Sequence, residues 1–107
     1  MSLSDDRMEK ALRFLAESDE DAAALFVDME RAEIKAKRIK DELFLHEEGS
    51  IPERQAKAAQ RGEYLAAMDG YYAAAQKFKH IANKRATEEL VVRAWQTLAA
   101  NRRQGQI

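Results

Sequence analysis

One strong break divides the chain near its midpoint. Gly49 is followed by Ser50-Ile51-Pro52-Glu53, an S-x-x-E box with an early proline. Glycine is the usual residue just past a helix end, and a serine followed three residues later by glutamate, with proline in the first turn, begins the next helix. Because the chain has only one Pro and four Gly in 107 residues, long helices are predicted on both sides of this turn.

Three helices are predicted within a single domain over residues 1–107, the size of one ordinary domain. Helix A covers about residues 5–17, with Ser4 as its N-cap. Helix B covers about residues 19–48 and begins at a capping-box-like serine, Ser18, which is followed by three acids. Helix C covers about residues 51–102, because no Pro or turn cluster interrupts it before Gly105.

Helix B carries a heptad pattern that requires a partner helix. Its positions alternate three and four apart, and seven of the eight are apolar: Ala22, Leu25, Met29, Ala32, Ala36, Ile39, Leu43 and His46. Folding at the turn pairs residues whose numbers sum to about 99, which places a row of small residues against this seam: Ala58, Gly62, Ala66, Gly70 and Ala74. The predicted fold is all-α, a long antiparallel helical hairpin with a short N-terminal helix, completed by dimerisation.

The predicted register leaves the end of helix C partly uncovered, since helix B reaches only to about residue 80 and helix A can cover only part of what lies beyond. Four apolar residues lie beyond that point and predict self-association: Leu90, Val91, Trp95 and Leu98. A chain this short buries only about two-thirds of its unfolded surface, which also favours a partner subunit. We therefore expect a homodimer.

Charge is divided unevenly along the chain. Residues 1–50 carry 8 Lys and Arg against 14 Asp and Glu, a charge of −6, and residues 51–107 carry 10 against 5, a charge of +5. Attraction between the two halves of a hairpin is the favoured interpretation, and a surface for nucleic-acid phosphates is the alternative. The candidate phosphate contacts are Lys77, Lys84, Arg85, Arg102 and Arg103. No DNA-reading motif accompanies them, so specific nucleic-acid binding is not favoured.

No catalytic, cofactor-binding or metal-binding residue is predicted. The chain lacks cysteine, and its two histidines, His46 and His80, fall far apart in the hairpin. No apolar run approaches the roughly 20 residues of a membrane span, and residues 1–6 lack the features of a signal peptide. We expect a cytoplasmic protein that is not an enzyme.

Residues 86–105, together with residues 15–20 and 48–50, resemble short helical proteins of tailed bacteriophages and prophages. The resemblance covers most of the chain and implies a setting in the cytoplasm of the infected host cell. The expected function is a non-enzymatic accessory or adaptor that acts through helical contacts with an unidentified protein partner. The alternatives are a nucleic-acid-binding accessory in phage replication or recombination, and a virion or assembly scaffold component.

Overall fold

The computed structural model describes residues 4–105, and all its regular secondary structure is helical. Helix α1 covers Asp5–His46, α2 covers Ile51–Ala59 and α3 covers Gly62–Gly105. The long helices α1 and α3 pack antiparallel as a hairpin, and the short α2 joins them. The predicted all-α hairpin is thus confirmed.

The turn at Gly49 is confirmed as well. Gly49 has a φ of +117°, in the left-handed region that favours glycine. Ser50 caps α2, because its hydroxyl accepts a hydrogen bond from the Glu53 N–H at 3.4 Å. The preceding helix ends at His46, two residues before the predicted end at residue 48.

The separation of helix A from helix B is wrong, because α1 is continuous through Ser18. The predicted heptad is confirmed, since all its members except His46 are buried or half-buried. The heptad also extends towards the N-terminus at the same three-and-four spacing, through Ser18, Leu15, Ala11 and Met8, which are again buried or half-buried. Packing of this unbroken stripe stabilises one long helix more than a local cap stabilises two short ones.

The prediction of one helix over about residues 51–102 is also wrong, because the helix is interrupted at Gln60 and Arg61. The Gln60 N–H bonds back to the Lys57 carbonyl at 3.1 Å, and the Arg61 N–H bonds to the Ala58 carbonyl at 3.2 Å. The Arg61 side chain then forms an ion pair with Glu47. These contacts stabilise a break that no proline marks, and α3 begins at Gly62.

The row of small residues does not form the hairpin contact as a whole, because only its end members are covered: Ala58 is buried and Ala74 is half-buried. Gly62, Ala66 and Gly70 are exposed, and a Cβ atom added at either glycine would meet nothing within 4 Å. Helix α3 packs instead through larger side chains at seven-residue steps, with Tyr64, Tyr71 and Phe78 half-buried. Those rings bury far more apolar area than glycine does, which favours this register.

The observed register differs from the predicted one by about five residues. The Phe26 and Phe78 rings lie 5.3 Å apart, and the Lys40 ammonium lies 5.4 Å from the centre of the Tyr64 ring. Each of these pairs sums to 104 rather than 99. The extra residues are taken up by α2 and by the break that follows it.

The packing divides the chain into two compact units. The first combines α1 up to Ala23 with α3 from Lys79 onwards, and the second is Ala24–Phe78. Ala11 is the fully buried apolar residue of the first unit, and Ala36 and Ala58 are those of the second. Within the described part of the chain no large side chain is fully buried, so the core of each unit is thin.

Candidate interaction surfaces

Arg85 forms a polar layer inside the first unit. It lies seven residues after Phe78, at a position of α3 where the pattern predicts an apolar residue. There it contacts Ser18, the polar residue in the apolar stripe of α1. Its Nη1 donates to the Leu15 carbonyl and to the Ser18 hydroxyl, each at 2.7 Å, and its Nη2 lies 3.4 Å from Asp19 Oδ1. Arg85 is therefore a structural residue whose guanidinium is engaged within the fold, and its role as a phosphate contact stays a prediction.

A second ionic contact joins the helices one turn further along α3. Arg7 binds Glu88 with two hydrogen bonds, Nη1 to Oε2 at 2.6 Å and Nη2 to Oε1 at 2.9 Å. These hydrogen bonds lower the pKa of Glu88 below its ordinary value and raise that of Arg7. The pair thus keeps the Glu88 carboxylate ionised and fixes α1 against α3 at this level.

The predicted self-association residues fall into two groups. Leu90 and Leu98 are exposed, at 59% and 37% of their surface. Val91 and Trp95 are half-buried, and the Trp95 indole N–H donates to Asp5 Oδ1 at 2.9 Å. The N-terminal part of α1, which extends back to Asp5, therefore covers this end of α3 only in part, and self-association through these residues stays a prediction. Leu90 and Leu98 remain as surface apolar residues.

The remaining candidate phosphate contacts are exposed. Arg102 and Arg103 lie in the last turn of α3 in the first unit, and Lys77 lies in the second unit. Lys84 is exposed too, but its ammonium lies 5.3 Å from the centre of the Phe14 ring, a cation–π contact within the fold. The pair of terminal arginines is the clearest basic feature of the first unit.

The second unit has a groove between α1 and α3 that the sequence did not indicate. Glu33, Lys37 and Lys40 of α1 line it opposite Tyr64 and Met68 of α3. Large apolar residues next to the groove-lining positions are well exposed: Ile34 at 62%, Leu65 at 51% and Tyr72 at 60%. The seven-residue spacing of Leu65 and Tyr72, one residue after Tyr64 and Tyr71, is the sequence signal that identifies a second apolar stripe on α3.

A cluster of polar contacts closes the turn of the second unit. The Arg54 guanidinium donates to the Phe44 carbonyl through Nη2 at 3.2 Å and lies 4.3 Å from the centre of the Phe44 ring. Lys57 Nζ donates to the Glu48 carbonyl at 2.9 Å. The hydrogen bond from Arg61 lowers the pKa of Glu47. These groups hold α2 against the end of α1.

Among residues 4–105, no three His, Cys, Asp or Glu side chains come together as a metal site. None of the helices in that range has an apolar stretch long enough to cross a membrane. Comparisons with family models, with curated proteins and with solved structures each found no match. Function must therefore be inferred from the surfaces of the two units.

Proposed function

We propose that this protein is a non-enzymatic accessory or adaptor that acts as a homodimer through helical protein–protein contacts. The main support for the proposal is that small apolar side chains are buried while many large ones are exposed. Among residues 4–105 the fully buried apolar residues are three alanines, whereas large apolar side chains on both long helices are exposed by more than a third: Leu12, Phe26, Val27, Ile34, Leu45, Leu65, Tyr72, Leu90 and Leu98. Apolar surface on this scale is typical of proteins that bind other proteins.

The ionisable groups with shifted pKa values support a structural role for the charged residues. They are Arg7 with Glu88 and Arg61 with Glu47, two ion pairs that join separate helices. In both pairs the arginine lowers the pKa of the carboxyl group. A carboxyl group that acts as a general acid needs the opposite shift, an elevated pKa in a dry pocket.

The biological setting is proposed from the resemblance of residues 86–105 to short helical phage proteins. It supports a role in the cytoplasm of an infected cell, and a helical adaptor fits either a replication complex or an assembling particle. The genes that flank the coding sequence would distinguish these two settings.

Leu90 and Leu98 are the residues of the first unit that we propose as contacts for a protein partner. Burying a leucine side chain is worth roughly 1.5–3 kcal/mol, so replacing both with aspartate should strongly weaken binding. The matched control is Leu45→Asp with Ile51→Asp, because these residues are even more exposed, at 70% and 62%, but lie by the turn.

The test has two steps. A tagged chain captures partners from infected cells, and each purified partner is then titrated against the parent and the two double variants. We expect Leu90→Asp/Leu98→Asp to raise the Kd by at least about tenfold, equivalent to about 1.4 kcal/mol, and the turn variant to change it by less than about twofold. An equal loss in both variants would contradict the assignment of the surface. Failure of the parent to bind any partner would contradict the adaptor function.

Nucleic-acid binding is the second candidate, favoured by the exposed pair Arg102 and Arg103. Phosphate contacts alone give salt-sensitive affinity. In fluorescence anisotropy with a duplex, we expect weak binding at low salt that is lost near 150 mM and is abolished by Arg102→Glu/Arg103→Glu. Sequence-selective binding that persists at about 150 mM salt would replace the adaptor proposal with this one.

A further inference from the structure

We propose that one face of the Ala24–Phe78 unit binds a second copy of this chain in antiparallel orientation. The inference rests on the proposed homodimer and specifies its interface. The groove face is defined by two sets of residues: Glu33, Lys37 and Lys40 of α1, and Leu65, Met68 and Tyr72 of α3.

These residues lie on the same side of the unit. Glu33, Lys37, Lys40 and Met68 all line the one groove between α1 and α3. Leu65 precedes Met68 by three residues, and Tyr72 follows it by four, so all three share one face of α3. Because Leu65 and Tyr72 are exposed by half or more, this face presents apolar surface that the chain itself does not cover.

The charges of α1 on this face are arranged for pairing with an inverted copy of themselves. Glu30 and Glu33 precede Lys37 and Lys40, so two acids are followed by two bases about a midpoint near residue 35. Glu30 shares the side of Glu33 because it lies three residues earlier. An antiparallel second copy places acids opposite bases at both ends, whereas a parallel copy places like charges together.

The exposed apolar residues of α3 are also symmetric about a midpoint, and it lies level with the midpoint of the α1 charges. Leu65 and Tyr72 are spaced evenly about residues 68 and 69, where Met68 lies. The two ring contacts within this unit, Phe26 with Phe78 and Lys40 with Tyr64, pair residues whose numbers sum to 104, so residue 35 of α1 lies level with residue 69 of α3. A single twofold axis at that level therefore serves both helices, as an isologous interface requires.

The second copy accordingly places its own Tyr72 against Leu65 and its own Met68 against Met68. The unbranched methionine can adapt to a copy of itself at the axis. The opposite side of α1 provides an internal comparison. Asp28 and Lys35 repeat the order of acid and base, but each lies two residues, or about 200°, around the helix from Glu30 and Lys37.

Charge exchange tests the orientation. Sedimentation equilibrium should give the parent about twice the 12.2 kDa chain mass. Glu33→Lys alone sets a lysine against Lys37 of the second copy, and Lys37→Glu alone sets a glutamate against Glu33 of the second copy, so each should weaken the dimer by about tenfold. An equimolar mixture of the two variants should restore parent-like association as a heterodimer, because both cross-pairs are then opposite in charge.

Asp28→Lys and Lys35→Glu are the matched controls, with the same changes of charge on the other side of α1. We expect neither to change the dissociation constant by more than about twofold. Circular dichroism at 222 nm should show parent-like helix content for all four variants. Lys37→Glu loses only an exposed pair with Glu33, and such pairs contribute little to folding.

A second pair of variants tests the apolar part of the face. Tyr72→Glu should shift the chain to monomer, whereas Leu45→Glu, at an even more exposed position away from the groove, should leave the dimer intact. The inference is overturned if the parent is a monomer, if the controls weaken association as much as the groove variants, or if Glu33→Lys pairs best with the parent chain, as parallel packing requires. A monomeric parent that still binds a captured partner would refute this interface alone. A dimer that behaves as expected but binds no partner would refute the adaptor function alone.

Discussion

Arg85→Met tests whether the polar layer around Ser18 holds α1 against α3. Methionine keeps an unbranched apolar stem but removes the guanidinium, which makes two hydrogen bonds of 2.7 Å to Leu15 and Ser18. Net hydrogen bonds to charged groups are worth roughly 1.5–3 kcal/mol each. Ser18, only 7% exposed, would lose its partner, although its hydroxyl can turn to the carbonyl four residues earlier in the helix and recover part of the loss.

The expected result is a decrease of about 2–3 kcal/mol in the free energy of unfolding. Urea denaturation followed at 222 nm measures it, at one fixed protein concentration because association would add to stability. With an m-value of roughly 1–3 kcal/mol/M, the midpoint should fall by about 1 M or more. The matched control is Arg93→Met, since Arg93 is exposed, and its effect should stay within about 0.5 kcal/mol.

Ser18→Ala provides a second check in the Arg85→Met background. Removing the hydroxyl eliminates the unpaired polar group, so the double variant should regain part of the lost stability. If Arg85→Met stays within about 0.5 kcal/mol of the parent, the hydrogen bonds at this layer are not what fixes the helices, and the reasoning fails.

Three further predictions concern one ion pair and two glycines. Because the pKa of Glu88 is lowered in the folded state, its stabilisation is complete above the ordinary carboxyl pKa of about 4.3 and is lost as the pH falls through the lowered value. When the urea midpoint is measured as a function of pH, Glu88→Gln should reduce its fall at acid pH. An unchanged fall would exclude the pair with Arg7 as its cause. Gly49→Ala should cost about 1 kcal/mol or more, because alanine is strained at a φ of +117° and its Cβ would lie 2.5 Å from Glu53 Oε2. Gly70→Ala should raise the melting temperature through a gain of about 0.5–1 kcal/mol in the helix interior; a fall would mean that this side of α3 is packed after all.

The regular features of the fold could be predicted from the sequence. The heptad from Ala22 to Leu43 and the cap at Ser50 both depend on neighbouring residues, whose spacing alone fixes which face is buried and where a helix starts. The antiparallel arrangement follows, because one turn between two long helices brings them side by side.

The register and the helix boundaries depend on pairings between distant residues, so local signals misplaced them. Ser18 resembles an N-cap when it is considered without its partner, Arg85, which lies 67 residues away in the chain. Each residue interrupts an apolar seam, and only the two interruptions together show that they meet as one polar layer. The row from Ala58 to Ala74 suggests close packing, but the area buried by the Tyr64, Tyr71 and Phe78 stripe outweighs it.

The wrong register also misaligns the residues of the groove face. The predicted register, in which paired numbers sum to 99, sets Ile34 level with Leu65, whereas the observed sum of 104 sets it level with Gly70, between Leu65 and Tyr72. At the end of α3, where the sequence predicts self-association, the Trp95 indole N–H bonds to Asp5.

The spacing of the turn contacts along the chain bears on the order in which the hairpin forms. Arg54 reaches Phe44 across 10 residues and Arg61 reaches Glu47 across 14, whereas Arg7 and Glu88 are separated by 81 residues and Asp5 and Trp95 by 90. The entropy lost on closing a loop increases with its length, so contacts near the turn are the cheapest to make first. During synthesis the N-terminal stripe of α1 must wait for the last part of α3 to leave the ribosome. A nascent chain that has emerged from the ribosome only as far as Phe78 would have its turn complete while Met8, Ala11 and Leu15 stay open to chaperones.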